Sequence, residues 1–180
     1  MSDIEVTADT ERAFTLNDRI EITLSINRRN YVVKVESRHT LADVLRDQCG
    51  LTGTNSGCEH GVCGSCTVIV DGAPLRSCLM FAVQAGGKAI RTIEGLADGE
   101  HLHPMQRAFI EHHGLQCGFC TPGFIMLAVA LLEREPDIGD EDLLEVLSSN
   151  LCRCTGYQNI LKAVRAAATL MRAPRAEPGE

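Results

Sequence analysis

Eight of the nine cysteines in this chain fall into two sets of four: Cys58, Cys63, Cys66 and Cys78, then Cys117, Cys120, Cys152 and Cys154. Each set has the spacing of a bound metal centre, and a chain that must bring four thiols to one place has few ways to fold. The first set reads C-x4-C-x2-C with a fourth cysteine further on, the plant-type spacing for a 2Fe-2S cluster. It lacks the C-x2-C…C-x2-C layout of zinc ribbons. The second reads C-x2-C, a long gap, then C-x-C, and by spacing alone it suits structural zinc as well as iron. Two such centres, with no catalytic group beside them, point to a device for moving single electrons.

Composition narrows the setting. At 180 residues the chain suits two small domains, one for each cysteine set. A formal charge of -7 without basic runs argues against nucleic acid or an anionic membrane as partner. Residues 1–18 are polar, carry Asp3, Glu5, Asp9 and Glu11, and contain no apolar core of the kind a secretory signal needs. The longest apolar run, 123–132, is far shorter than the roughly 20 residues that cross a bilayer. A cytoplasmic location is therefore expected, and in a reducing cytosol an odd number of cysteines argues for metal binding over disulfides.

Hydrophobic period two dominates the first half. Residues 20–26 and 31–35 alternate around a polar turn at 27–30, which predicts a hairpin. Thr40 with Asp43 three residues later predicts a capping box and a short helix through Leu41, Val44 and Leu45, ending near Gly50. The stretch 50–66 is glycine-rich and reads as a loop whose backbone N–H groups can approach cluster sulfurs. A second hairpin through the Asp71-Gly72 turn returns Cys78 to that loop, and 89–93 supplies another strand of a small mixed sheet.

After Gly99 the period becomes helical. Leu102, Met105 and Phe109 mark a first helix before Gly114. Thr121 as cap and Pro122 at the first helical position open a second, apolar nearly all round and so expected to be buried, ending at Pro136. Asp140, Glu141 and Asp142 begin a third, carrying Leu143, Leu144 and Leu147. A fourth runs from about Tyr157 to Met171, with Ile160, Leu161, Val164 and Ala168 on one face and Lys162 and Arg165 on the other. Cys120 and Cys154 then both precede helix starts, where free N–H groups favour a negative centre, and Arg153 adds a full positive charge. The expected division is an N-terminal extension over 1–19, domains over 20–96 and 97–172, and a disordered tail over 173–180.

Other candidates carry less. Cys49 stands outside both sets and reads as a small buried hydrophobe. His101, His103, His112 and His113 read as residues at helix ends, and His60 as a loop residue. No G-x-G-x-x-G or G-x-x-x-x-G-K-[ST] is present, so any flavin belongs to another chain, as does the substrate chemistry.

Two segments carry a resemblance to a known family. Gly57-Cys58-Glu59-His60-Gly61-Val62-Cys63-Gly64-Ser65-Cys66-Thr67-Val68, followed by Asp71-Gly72 and Arg76-Ser77-Cys78, resembles the iron-sulfur subunit of the xanthine oxidase family of molybdenum hydroxylases. So does Gln116-Cys117-Gly118-Phe119-Cys120-Thr121-Pro122-Gly123 with Asn150-Leu151-Cys152-Arg153-Cys154-Thr155-Gly156-Tyr157. The chain departs from the usual wording at Glu59-His60, where a more glycine-rich pair is frequent.

The resemblance implies an α+β protein: a plant-ferredoxin-like (β-grasp) N-terminal domain and a four-helix-bundle C-terminal domain, each holding a 2Fe-2S cluster. It makes the second set iron rather than zinc. It further implies a large subunit with molybdopterin, often as a cytosine dinucleotide, and commonly a medium subunit with FAD, assembled as a dimer of heterotrimers. Gln116 and Cys154 are then expected beside the pterin, with the helical domain nearest the molybdenum and the ferredoxin-like domain toward FAD. The competing class is a stand-alone zinc-binding or redox-sensing module.

Overall fold

The computed structural model describes residues 19–172; the expected tail and nearly all of the expected N-terminal extension lie outside them. Five strands form one mixed sheet in the order β2-β1-β5-β3-β4. β1 (Arg19–Ile26) and β2 (Arg29–Glu36) are an antiparallel hairpin in which Arg19 faces Glu36 and Ile26 faces Arg29. Its turn is only Asn27-Arg28, both at positive φ (50° and 65°), shorter than the 27–30 turn read from the polar residues. Two left-handed residues match the twist of the strands they join, so pairing resumes at once.

The capping box forms as expected. Thr40 Oγ1 accepts from the Asp43 N–H at 3.2 Å while the Asp43 carboxylate accepts from the Thr40 N–H at 3.0 Å. The helix that follows differs from the expectation: α1 (Leu41–Asp43) is a single turn, and the chain widens into a π-type stretch at Val44–Gln48 before Gly50 turns left-handed at φ 70°.

β3 (Thr67–Val70) and β4 (Ala73–Arg76) form the second hairpin around Asp71 and Gly72, at φ 49° and 83°. β5 (Ala89–Arg91) is shorter than the 89–93 segment expected, because the chain turns tightly at Ile93–Gly95; it pairs parallel with β1 and antiparallel with β3.

The second half is helical: α2 (Pro104–Glu111), α3 (Thr121–Arg134), α4 (Asp140–Ser148) and α5 (Gln158–Arg172). Three expectations are corrected here. Leu102 is exposed and precedes α2, whose N-cap is His103, accepting from the Met105 N–H. Thr121 is already helical; Cys120 is the N-cap, and the Thr121 hydroxyl is buried without a hydrogen-bond partner. α5 begins at Gln158, not Thr155 or Tyr157, since Gly156 and Tyr157 are both left-handed (φ 61° and 68°). In α4, Leu143 and Leu147 are buried whereas Leu144 is exposed.

Two apolar cores result. One packs Leu24, Ile26, Val33 and Val35 of the first hairpin with Val68, Val70 and Ile90 against Leu41, Val44 and Leu45. The other surrounds α3, buried continuously from Gly123 to Leu132, with Met105, Phe109, Leu143, Leu147, Ile160 and Val164. All four residues of β3 are buried because both faces are covered: Val68 and Val70 belong to the first core, Ile69 to the second. The halves therefore share a strand as well as a surface.

They meet most closely where α3 begins. A methyl group on Gly123 would collide with the Gly64 carbonyl oxygen and lie 3.0 Å from Ser65 Cα, both backbone atoms that cannot rotate away. Gly123→Ala is expected to destabilise the folded protein by about 1–3 kcal/mol through this overpacking. A urea midpoint equal to that of the unsubstituted protein would show that the junction is looser than described.

Candidate metal centres

The loop 50–66 carries the first three cysteines between Gly50 and β3. Its reversals need left-handed backbone at Glu59 (φ 59°), Gly61 (81°) and Gly64 (75°). The position where the family's wording is more glycine-rich is thus one where glycine is favoured sterically, and Glu59 occupies it at some cost. The folds turn N–H groups onto Cys58 Sγ, which accepts from Cys63 N–H at 3.3 Å. That bond, with a second from His60, holds the Cys58 thiol down to about 6. His60 is an exposed loop residue whose Nδ1 donates to the Cys58 carbonyl.

Cys78 reaches the same place on the tight turn after β4 and lies buried with Cys66 and Ala42. Ser77 secures it, its hydroxyl and N–H both donating to the Cys66 carbonyl (2.7 and 3.2 Å). Burial, then the adjacent Cys66 thiol, push Cys78 up to about 11.

The second set forms where the α3 start meets the Cys152–Cys154 loop. Cys154 Sγ lies 3.6 Å from Cys117 Sγ, and this contact raises the Cys154 thiol. Burial, then the Cys152 thiol, push Cys120 up to about 12. Burial raises Cys152 as well, yet Cys152 is lowered on balance because the Thr155 hydroxyl (3.1 Å) and N–H (3.5 Å) both reach its sulfur. Tyr157 closes the loop: its hydroxyl accepts from the Cys152 N–H at 3.0 Å and donates to the Asn150 carbonyl at 3.3 Å. Its ring meets Phe124 edge-to-face with centroids 6.1 Å apart. The expected pairing of both Cys120 and Cys154 with helix starts holds only for Cys120.

Side-chain contacts bring the thiols together in pairs: Cys58 with Cys63, Cys66 with Cys78, Cys117 with Cys154, and Cys120 with Cys152. Two sulfurs on one tetrahedral metal at a metal–sulfur distance of about 2.3 Å stand about 3.8 Å apart, close to the Cys117–Cys154 separation. Among the described residues no three His, Cys, Asp or Glu side chains close around a single point. Two such pairs at each site could serve a binuclear centre in which each iron takes two protein sulfurs.

Direct contacts join the two sites. The Leu151 N–H donates to the Cys63 carbonyl at 2.9 Å, Asn150 Nδ2 to the Gly64 carbonyl at 3.4 Å, and Asn55 Nδ2 to the Phe119 carbonyl at 2.8 Å. Arg76 spans from the Thr67 hydroxyl (2.7 Å) to the Ser149 carbonyl (3.0 Å). These residues, with Thr155 and Tyr157, were not singled out from the sequence as parts of a site. Only the motif wording around them was a signal, because their roles depend on pairing across the junction. Gln116, Cys117 and Cys154 are exposed, rimmed by exposed Leu115, Phe119 and Leu151. Cys49 caps the π-type stretch, half-buried against the first core and raised by burial. His103 and His112 cap the two ends of α2 and His113 follows at φ 53°; His101 bridges to Asp98.

Residues 24–92 match the family described as the 2Fe-2S iron-sulfur cluster binding domain, and 92–165 the [2Fe-2S] binding domain. The chain is 56% identical over 148 residues to the nicotine 6-hydroxylase small subunit of Paenarthrobacter nicotinovorans, covering 82% of this chain and 89% of that one. It is 54% identical over 147 residues to caffeine dehydrogenase subunit gamma of Pseudomonas sp. strain CBB1, covering 80% and 88%. The structure of quinoline 2-oxidoreductase from Pseudomonas putida 86 superposes with a TM-score of 0.82 at 50% identity, covering 86% of this chain and 97% of that one. With two abutting cysteine centres in one α+β chain and relatives this similar along nearly their whole length, the chain belongs to the iron-sulfur small-subunit family of the molybdenum hydroxylases.

Proposed function

We propose that Cys58, Cys63, Cys66 and Cys78 hold one 2Fe-2S cluster, that Cys117, Cys120, Cys152 and Cys154 hold a second, and that the chain is the electron-transfer subunit of a molybdopterin-dependent hydroxylase. The observation that carries this is the meeting of eight thiols in four pairs at two sites joined by the Leu151–Cys63 hydrogen bond. When bound, each cluster accepts and releases one electron without carrying substrate. The protein's share is placement: backbone N–H groups on Cys58, hydroxyl and N–H on Cys152, and the N-terminus of α3 beside Cys120 all offset negative charge.

The finer assignments belong to the same reading. Residues 20–96 form a plant-ferredoxin-like β-grasp domain and 97–172 a four-helix domain. The exposed Gln116, Cys117 and Cys154, with their apolar rim, are the surface for the large molybdopterin subunit, with Gln116 and Cys154 beside the pterin. The ferredoxin-like half faces the acceptor, an FAD subunit in a dimer of heterotrimers. No helix among the described residues is long and apolar enough to cross a membrane, and we place the complex in the cytoplasm. The relatives' names, with nicotine, caffeine and quinoline as the compounds acted on, support an N-heterocycle as the partner's substrate. A stand-alone zinc or redox-sensing module has no comparable support.

Purified protein is expected to be coloured and to contain about four irons, the sum of two 2Fe-2S centres, with matching acid-labile sulfide. Cys49→Ala should keep all of it. A colourless, zinc-loaded protein would end the electron-transfer reading, and loss of half the iron in Cys49→Ala would overturn the ligand assignment. In the assembled complex, stopped-flow bleaching of the clusters should be faster with N-heteroaromatic substrates than with aldehydes. Gln116→Ala should slow that bleaching about tenfold or more, the loss expected from a contact worth about 1.4 kcal/mol in the productive geometry. Unchanged kinetics would remove Gln116 from the pterin contact, and preference for aldehydes would refute the substrate class.

A further inference from the structure

We propose that the Thr155 hydroxyl sets the reduction potential of the centre held by the second cysteine set, by donating a hydrogen bond to the Cys152 sulfur. The inference rests on the assignment of Cys152 as an iron ligand. Thr155 Oγ1 lies 3.1 Å from Cys152 Sγ, and between an alcohol and a thiol either atom could donate. A metal-bound thiolate has no proton, so the hydroxyl must be the donor. Its acceptor side is engaged separately, because the Tyr157 N–H donates to Oγ1 at 3.1 Å. The hydroxyl hydrogen is thereby directed toward the sulfur.

The loop cannot easily turn this group away. Tyr157 is anchored through its hydroxyl to Cys152 N–H and the Asn150 carbonyl, and through its ring to Phe124. Thr155 N–H gives the same sulfur a second, longer bond at 3.5 Å. Among the described residues, no other side-chain hydroxyl is hydrogen-bonded to a sulfur of either set. The first set instead draws on backbone N–H groups at Cys58.

Reduction adds one electron, shared over iron and sulfur, and a donor to a ligand sulfur stabilises the more negative state. The electron comes from the partner's substrate-oxidising centre in the enzyme, or from dithionite in a titration. The proton stays on Oγ1, so no bond is made or broken. Thr155 is a positioning residue that tunes the centre through the Cys152 sulfur.

The test is a dithionite titration of the assembled complex followed by electron paramagnetic resonance, with Thr155→Val, Thr155→Ala and Thr155→Ser beside the unsubstituted protein. Thr155→Val keeps the size and removes the hydroxyl. At fixed potential it should lower the reduced-to-oxidised ratio of the second centre about tenfold, equivalent to about 59 mV for one electron. The first centre should be unmoved, and Thr155→Ser should restore the second. An unchanged potential in Thr155→Val, equal shifts in both centres, or failure of Thr155→Ser to restore would each overturn the proposal. Loss of the second cluster from both Thr155→Val and Thr155→Ala would assign Thr155 a structural role instead. If the unsubstituted protein lacks two clusters, the ligand assignment itself has failed, which is a different result.

Discussion

One backbone contact ties the two cysteine sets together most directly: the hydrogen bond from Leu151 N–H to the Cys63 carbonyl, flanked by Gly64 packed against Gly123. Cys63 belongs to the first cysteine set, and Leu151 is one residue from Cys152 of the second. The bond works because the surfaces around it are glycine: a side chain at Gly64 would meet Asn150, and one at Gly123 would meet Gly64. Neither loop could approach so closely with ordinary residues. β3 and α3 hold this junction, with Ile69 of β3 inserted into the helical core.

The chemistry is graded across that junction. Cys66 and Cys78 are buried, whereas Cys117 and Cys154 are exposed. A buried centre is shielded from solvent and tuned by the backbone around it, while an exposed one is available to a partner's cofactor. In the proposed function this gives the two sets different tasks, one facing the molybdopterin subunit and one carrying charge inward and on. The surface ion pair Arg91–Glu133 also crosses between the halves, but at about 40% exposure it contributes little next to the glycine contact.

Much of this was legible in the sequence. The Thr40–Asp43 capping box, the Asp71-Gly72 turn and the buried α3 rest on local rules of capping, turn chemistry and hydrophobic period, and they hold. The misreadings have local physical causes. Asn27-Arg28 turns in two residues because both adopt left-handed backbone, which polarity alone does not reveal. Thr121 looked like a cap, yet Cys120 takes that position, and the late start of α5 follows from left-handed Gly156 and Tyr157. What could not be read is long-range: β3 covered on both faces, Leu151 bound to Cys63, and Thr155 aimed at Cys152 are products of tertiary pairing.

In the proposed function two centres are held side by side by the backbone junction between Leu151 and Cys63. The most direct test is the electron paramagnetic resonance spectrum of the fully reduced protein compared with the partly reduced one. Close, rigidly placed centres predict two signals that are each simple when one cluster is reduced and split by mutual magnetic interaction when both are. Two signals that stay unsplit at full reduction would contradict this, because the clusters would then be too far apart or too loosely held for a junction closed by the Leu151–Cys63 hydrogen bond.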